Sequence, residues 1–187
     1  MSFVVARRFA VLGLVLCLTF LCTCVTGARG RRQPGEGIGV PFLVERGGFV
    51  WDIGHSAEDQ AQRITEFVRP GQTIENWTEL VTQQTFNKAY DLGSIDDHIA
   101  THQRELVARC PGTTVEVVRR TSDGVLYESH VVNCEQGADE HVLARVLDGT
   151  WNRFVVQYSV RREVTMTPQR RKEWIEKLMD VRIINLP

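Results

Sequence analysis

Apolar and polar positions change rhythm several times along the 187-residue chain. A continuous apolar run, Phe9–Val25, is followed by Arg29–Gly39, which has no apolar period, so residues 29–40 read as a flexible linker. Phe42–Glu45 and Phe49–Ile53, split by Gly47-Gly48, predict short strands. Ser56 with Asp59 three residues later has the form of a capping box and predicts a short helix over Ala57–Arg63. Ile64–Val68 predicts a strand ended by Pro70-Gly71, and Trp77–Phe86, rich in Thr, Val and aromatics, predicts a longer one. Helical spacing competes within Trp77–Phe86.

Ser94 and Asp97 form a second capping box, opening a helix on which Ile95, Ile99, Leu106 and Val107 share a face until Pro111-Gly112. Two hairpins follow. Asp123-Gly124 separates Thr114–Ser122 from Val125–Asn133, and Asp148-Gly149 separates His141–Leu147 from Thr150–Val160. Two-residue turns set Arg119 opposite Glu128, Val115 opposite Val132 and Cys134 opposite Thr113. In the second hairpin they set Leu143 opposite Phe154, Val142 opposite Val155 and Val146 opposite Trp151. Thr167-Pro168 supplies an N-cap and an N1 proline for a last helix, with Trp174, Ile175, Leu178 and Met179 as its apolar stripe and Arg170, Arg171 and Lys172 opposite. The expectation is one α+β domain over residues 41–187, an antiparallel sheet built from hairpins with helices packed on its faces.

The N-terminal run changes the picture by naming a compartment. Arg7 and Arg8 precede it and Thr26, Gly27 and Ala28 close it, which is the order of an export signal over residues 1–28. Three outcomes stand: cleavage after Gly27 or Ala28, lipid attachment at Cys24 (or Cys22), or retention as a membrane anchor. Leu21 fits the lipidation pattern and Thr23 fits it poorly, while Arg29, Arg31 and Arg32 impede translocation. In each case the remainder faces an extracytoplasmic space, periplasmic or secreted. Without residues 1–28 the chain carries 20 basic and 23 acidic residues, a balance that argues against nucleic-acid binding. Outside the leader, Cys110 and Cys134 remain, and an even pair in an oxidising compartment predicts a disulfide. Two buried thiols or half of a metal site are the alternatives. A bridge closing a loop of about 25 residues contributes about 3.5 kcal/mol in the chain-entropy account.

Candidate chemistry is sparse. His98 and His102, four apart on the predicted helix, project from one side and offer two ligands for a metal, with Asp96 and Asp97 nearby. His102 also falls between Ile99 and Leu106, the place of a packing histidine. No Gly-x-Ser-x-Gly elbow is present. Glu75, Glu79, Asp96, Glu128 and Asp148 have equal claim as solvated acids, so no glycosidase pair stands out. Gly35-Glu-Gly-Ile-Gly39 lacks the flanking strand and helix of a nucleotide loop, and no cofactor is expected. Asn76-Trp77-Thr78 is a formal glycosylation acceptor. Arg161-Arg162 with Arg170-Arg171-Lys172 offers a small basic patch for an anionic lipid or a partner, against the ordinary reading of a solvated face. Trp51, Trp77, Trp151 and Trp174 read as core, with Trp151 exposed beside its turn.

Four segments resemble a group of small bacterial exported proteins and lipoproteins: Glu75-Asn-Trp-Thr-Glu-Leu-Val-Thr82, Val125-Leu-Tyr-Glu-Ser129 to Asn133-Cys134, Glu140-His-Val-Leu-Ala-Arg-Val146 and Arg171-Lys-Glu-Trp-Ile175. The layout is similar to the domain of PsbP-type photosystem extrinsic subunits. That resemblance implies binding or assembly with an envelope protein or membrane component rather than catalysis. An exported hydrolase and a periplasmic metal-binding protein using His98 and His102 are the competing expectations.

Overall fold

The computed structural model describes residues 35–45, 48–132, 134, 139–161 and 164–186. The expected leader, the lipidation candidate Cys24 and Arg162 lie outside them. In chain order the elements are β1 (Gly35–Gly39), a 3-10 turn (Pro41–Leu43), β2 (Val44–Glu45), β3 (Gly48–Phe49), β4 (Asp52–Glu58), β5 (Gln62–Val68) and β6 (Glu79–Asn87). Helix α1 (Ile95–Arg109) leads to β7 (Thr114–Thr121), β8 (Gly124–Val131), β9 (Glu140–Asp148) and β10 (Asn152–Arg161), and α2 (Pro168–Met179) to β11 (Arg182–Leu186). Seven strands form an antiparallel sheet in the order β4-β5-β6-β10-β9-β8-β7, while β1 pairs with β11 and β2 with β3. Among the described residues no helix is long and apolar enough to cross a membrane.

Strand alternation gives the sheet two apolar faces, and each helix covers one. On one face Leu126, Leu143, Phe154, Val156 and Tyr158 meet Trp174 and Leu178 of α2, with Trp51 and Phe67. Trp174 stacks on Tyr158 at 3.6 Å and takes Phe42 and Trp51 edge-on. On the other face Phe86, Val125, Tyr127, Val146 and Val155 pack with Ile99 of α1. Three tryptophans are core, and Trp151 is exposed. The architecture is α+β and dominated by its sheet.

Both helices start where their caps predict. Ser94 accepts from the Asp97 backbone and Asp97 from the Ser94 backbone, while Thr167 accepts from the Arg170 backbone ahead of Pro168. Val107 departs from its expected place and is exposed. The helix expected over Ala57–Arg63 does not form. Residues 52–58 and 62–68 are instead a hairpin, and Asp59 Oδ1 accepts from the backbone of Ala61 and Gln62 at 2.8 Å each. The same Asx geometry serves a turn as well as an N-cap, and the sheet partner decides between them. Of the expected linker, the described Gly35–Gly39 is a strand paired with β11.

Hairpin registers also differ from expectation. Thr121 pairs with Gly124, so the first turn is Ser122-Asp123. Gly124 belongs to the strand, where a Cβ would collide with the Val146 carbonyl oxygen of β9. With a bulge between Val117 and Arg119, Arg119 lies opposite Leu126 and Val115 opposite Ser129. In the second hairpin Arg153 pairs with Asp148, Phe154 with Leu147, Val155 with Val146 and Tyr158 with Leu143. The wider loop is held by Glu36, whose carboxylate accepts from the backbone of Thr150, Trp151 and Asn152. Cys110 and Cys134 form a disulfide, joining the end of α1 to the chain beyond β8.

Candidate functional site

Among the described residues, one group of three His, Cys, Asp or Glu side chains converges: Glu128, His130 and His141. Its assembly follows from sheet geometry. Glu128 and His130 are two apart on β8 and so point to the same face, and His141 on β9 is the direct cross-strand partner of His130. The two imidazole rings lie 3.9 Å apart, tilted by 43°.

Arg171, in the first half of α2, reaches down onto this corner. Its Nε donates to Glu128 Oε1 at 2.9 Å and to Oε2 at 3.0 Å, and its Nη2 donates to Oε2 at 2.6 Å. His141 Nε2 lies 2.6 Å from Glu128 Oε1, a hydrogen bond donated by the tautomer protonated on Nε2. The Glu128 side chain is 11% exposed, and those of His141 and Arg171 are 20% and 39% exposed. The corner is shielded on one side and open on the other.

Electrostatics set the protonation states. Burial acts to raise the Glu128 carboxyl, but Arg171 and His141 outweigh it and hold it below the ordinary value. His141 is lowered chiefly by burial and also by His130, against the pull of Glu128. A carboxylate beside a neutral imidazole is an arrangement of ligands and hydrogen-bond partners.

The other carboxylates singled out in the sequence are dispersed. Glu79 accepts from Arg69 and Tyr158, Asp148 from Arg153, Asp96 from Arg120 and Glu75 from Thr73. The histidines first suggested as metal ligands share a face of α1, turned to the sheet. His98 packs edge-on to Phe86 at 5.4 Å and His102 lies 5.8 Å from Tyr127. Burial depresses both to a pKa of about 4. Among the described residues neither joins a third ligand.

Three of the basic residues near α2 have partners among the described residues. Arg171 is engaged by Glu128, Arg170 donates to the Thr165 carbonyl and Arg161 to the Glu75 carbonyl. Arg161 also lies over Trp77 at 4.2 Å. Asn76 sits exposed in the turn before β6, its Oδ1 accepting from the Thr73 backbone.

Sequence reasoning listed Glu128 among equivalent acids and passed over His130 and His141. The available signal was Glu-x-His on a strand, which puts two ligands on one face. The pairing of β8 with β9 crosses a loop rather than a tight turn, so no local motif announced the third. The chain matches no protein-family model and no curated protein.

Proposed function

We propose that this protein is a non-enzymatic binding or assembly module of the cell envelope, working outside the cytoplasm and tethered or released by its N-terminal segment. The observation that carries this reading is the Cys110–Cys134 disulfide. Such bridges persist in oxidising compartments, and this one agrees with the charge, apolar core and small-residue order of residues 1–28. The binding role draws on the likeness to small exported envelope proteins, whose resembling segments include parts of β6, β8, β9 and α2. The finer layout, hairpins carrying helices on both faces as in PsbP-type domains, belongs to the same reading. The partner is an envelope protein or membrane component.

Expression of the full chain in a bacterial host, followed by fractionation, intact-mass analysis and thiol labelling, tests the compartment. The expected result is an extracytoplasmic protein with Cys110 and Cys134 unreactive until reduced. A cytoplasmic protein whose two thiols label freely would overturn it. In-cell crosslinking tests the role: a specific adduct with an envelope component is expected, and a monomer with no adduct counts against it.

A further inference from the structure

The corner at β8, β9 and α2 carries more than an ion pair. We propose that Glu128, His130 and His141 form a binding site for a divalent transition-metal ion of borderline softness, such as zinc(II), with two imidazole nitrogens and one carboxylate oxygen as ligands. The ligand atoms of the three side chains all lie within 4.8 Å of one another. They stand on adjacent strands inside the seven-stranded sheet, so backbone hydrogen bonding, not loop closure, sets their spacing.

Arg171 prepares the carboxylate. Its Nη2 takes Oε2, while Oε1, which also accepts from Nε, faces His141 Nε2. An ion entering there takes the place of the proton between Oε1 and Nε2: the Nε2–H bond breaks and its proton goes to solvent while Nδ1 takes one up, so the ring stays a neutral imidazole and Nε2 and Oε1 become metal ligands. Arg171 then holds the ligating carboxylate from behind, as outer-shell partners of metal ligands do. His130 is exposed and gives the ion a route in. Glu116, exposed and directly opposite Glu128 on β7, adds negative charge to the approach. Two nitrogens and one oxygen suit zinc and its transition-metal neighbours rather than magnesium or calcium, which prefer all-oxygen shells. Three protein ligands leave a fourth position for water or for a donor from a partner. The site stands independently of the envelope reading, which rests on the disulfide.

The test is calorimetric titration of the full-length, disulfide-bonded protein, stripped with chelator and then given zinc chloride alone. One zinc per chain is expected. His130→Ala, His141→Ala and Glu128→Gln should each weaken affinity by about ten-fold or more, while His98→Gln binds as the parent does. Cobalt(II) should give visible d–d bands that disappear in His130→Ala. Since His130 is exposed, that variant retains the parent's circular dichroism and separates ligand loss from unfolding. No zinc uptake by the parent overturns the proposal. Uptake unchanged by the His130 and His141 substitutions overturns it as well, and so does uptake that depends on His98.

Discussion

Arg153, 1% exposed, grips Asp148 across the mouth of the β9–β10 hairpin, Nε to Oδ1 at 2.8 Å and Nη2 to Oδ2 at 3.2 Å. The remaining donors of the same guanidinium reach the carbonyls of Leu92, Gly93 and Ser94. One side chain therefore closes a hairpin and seats the start of α1 on the sheet. Removing it takes the guanidinium from the Leu92 and Gly93 carbonyls and leaves Asp148 with Lys88 at 3.8 Å, while the Ser94 carbonyl keeps the His98 backbone N–H. Arg153→Met should destabilise the fold by about 3–5 kcal/mol, measured by urea unfolding. A loss below about 1 kcal/mol would mean the pair behaves as an ordinary surface bridge.

The disulfide ties the C-terminal end of α1 to the segment beyond β8, spanning 24 positions of sequence. Replacing both cysteines by serine should cost about 3.5 kcal/mol and lower the urea midpoint. The parent protein in reductant should match the variant. Equal midpoints for oxidised and reduced protein would show that the bridge constrains nothing.

Acid stability should carry the signature of His98 and His102. Their folded values lie near about 4 against the ordinary 6.5, with burial as the leading cause. The unfolded chain binds more protons between those values, so their contribution is complete above pH 6.5 and is lost as pH falls toward 4. Glu140 acts in the opposite sense. Burial raises it from 4.5 to about 7, so its contribution is complete below pH 4.5 and declines as pH rises through 7. Thermal midpoints across pH 4–8 separate the two: Glu140→Gln should remove the decline toward neutrality, and His102→Gln should flatten the acid limb. Profiles identical to the parent's would rule out these groups as the source.

Trp174 and Trp151 should respond oppositely to truncation. Trp174 is buried among Tyr158, Phe42 and Trp51, so Trp174→Ala should cost about 3–5 kcal/mol. Trp151 is 54% exposed, and Trp151→Ala should fall within about 0.5 kcal/mol of the parent. Chemical denaturation of the two variants side by side checks the ranking.

Features written in short-range chemistry were legible. Ser94 with Asp97 and Thr167 with Pro168 mark helix starts because cap and first turn are sequence neighbours. Ser56 with Asp59 carries a similar mark, yet β5 captures that segment as a strand. Asp123-Gly124 looked like a turn, but the close approach of β9 makes Gly124 a strand residue and moves the turn back by one. Glu36 holds the second hairpin loop from more than a hundred positions away, which no local pattern announces.

By itself the sequence determined the strand-rich class, both helices, the cysteine pair and the charge balance, because each depends on periodicity, capping or composition along the chain. Tertiary structure decided registers, the shielding of His98 and His102 against aromatic rings, and the meeting of Glu128, His130, His141 and Arg171. Those depend on which strands and helices become neighbours, and that is settled by burial of two apolar faces over the whole sheet rather than by any segment alone.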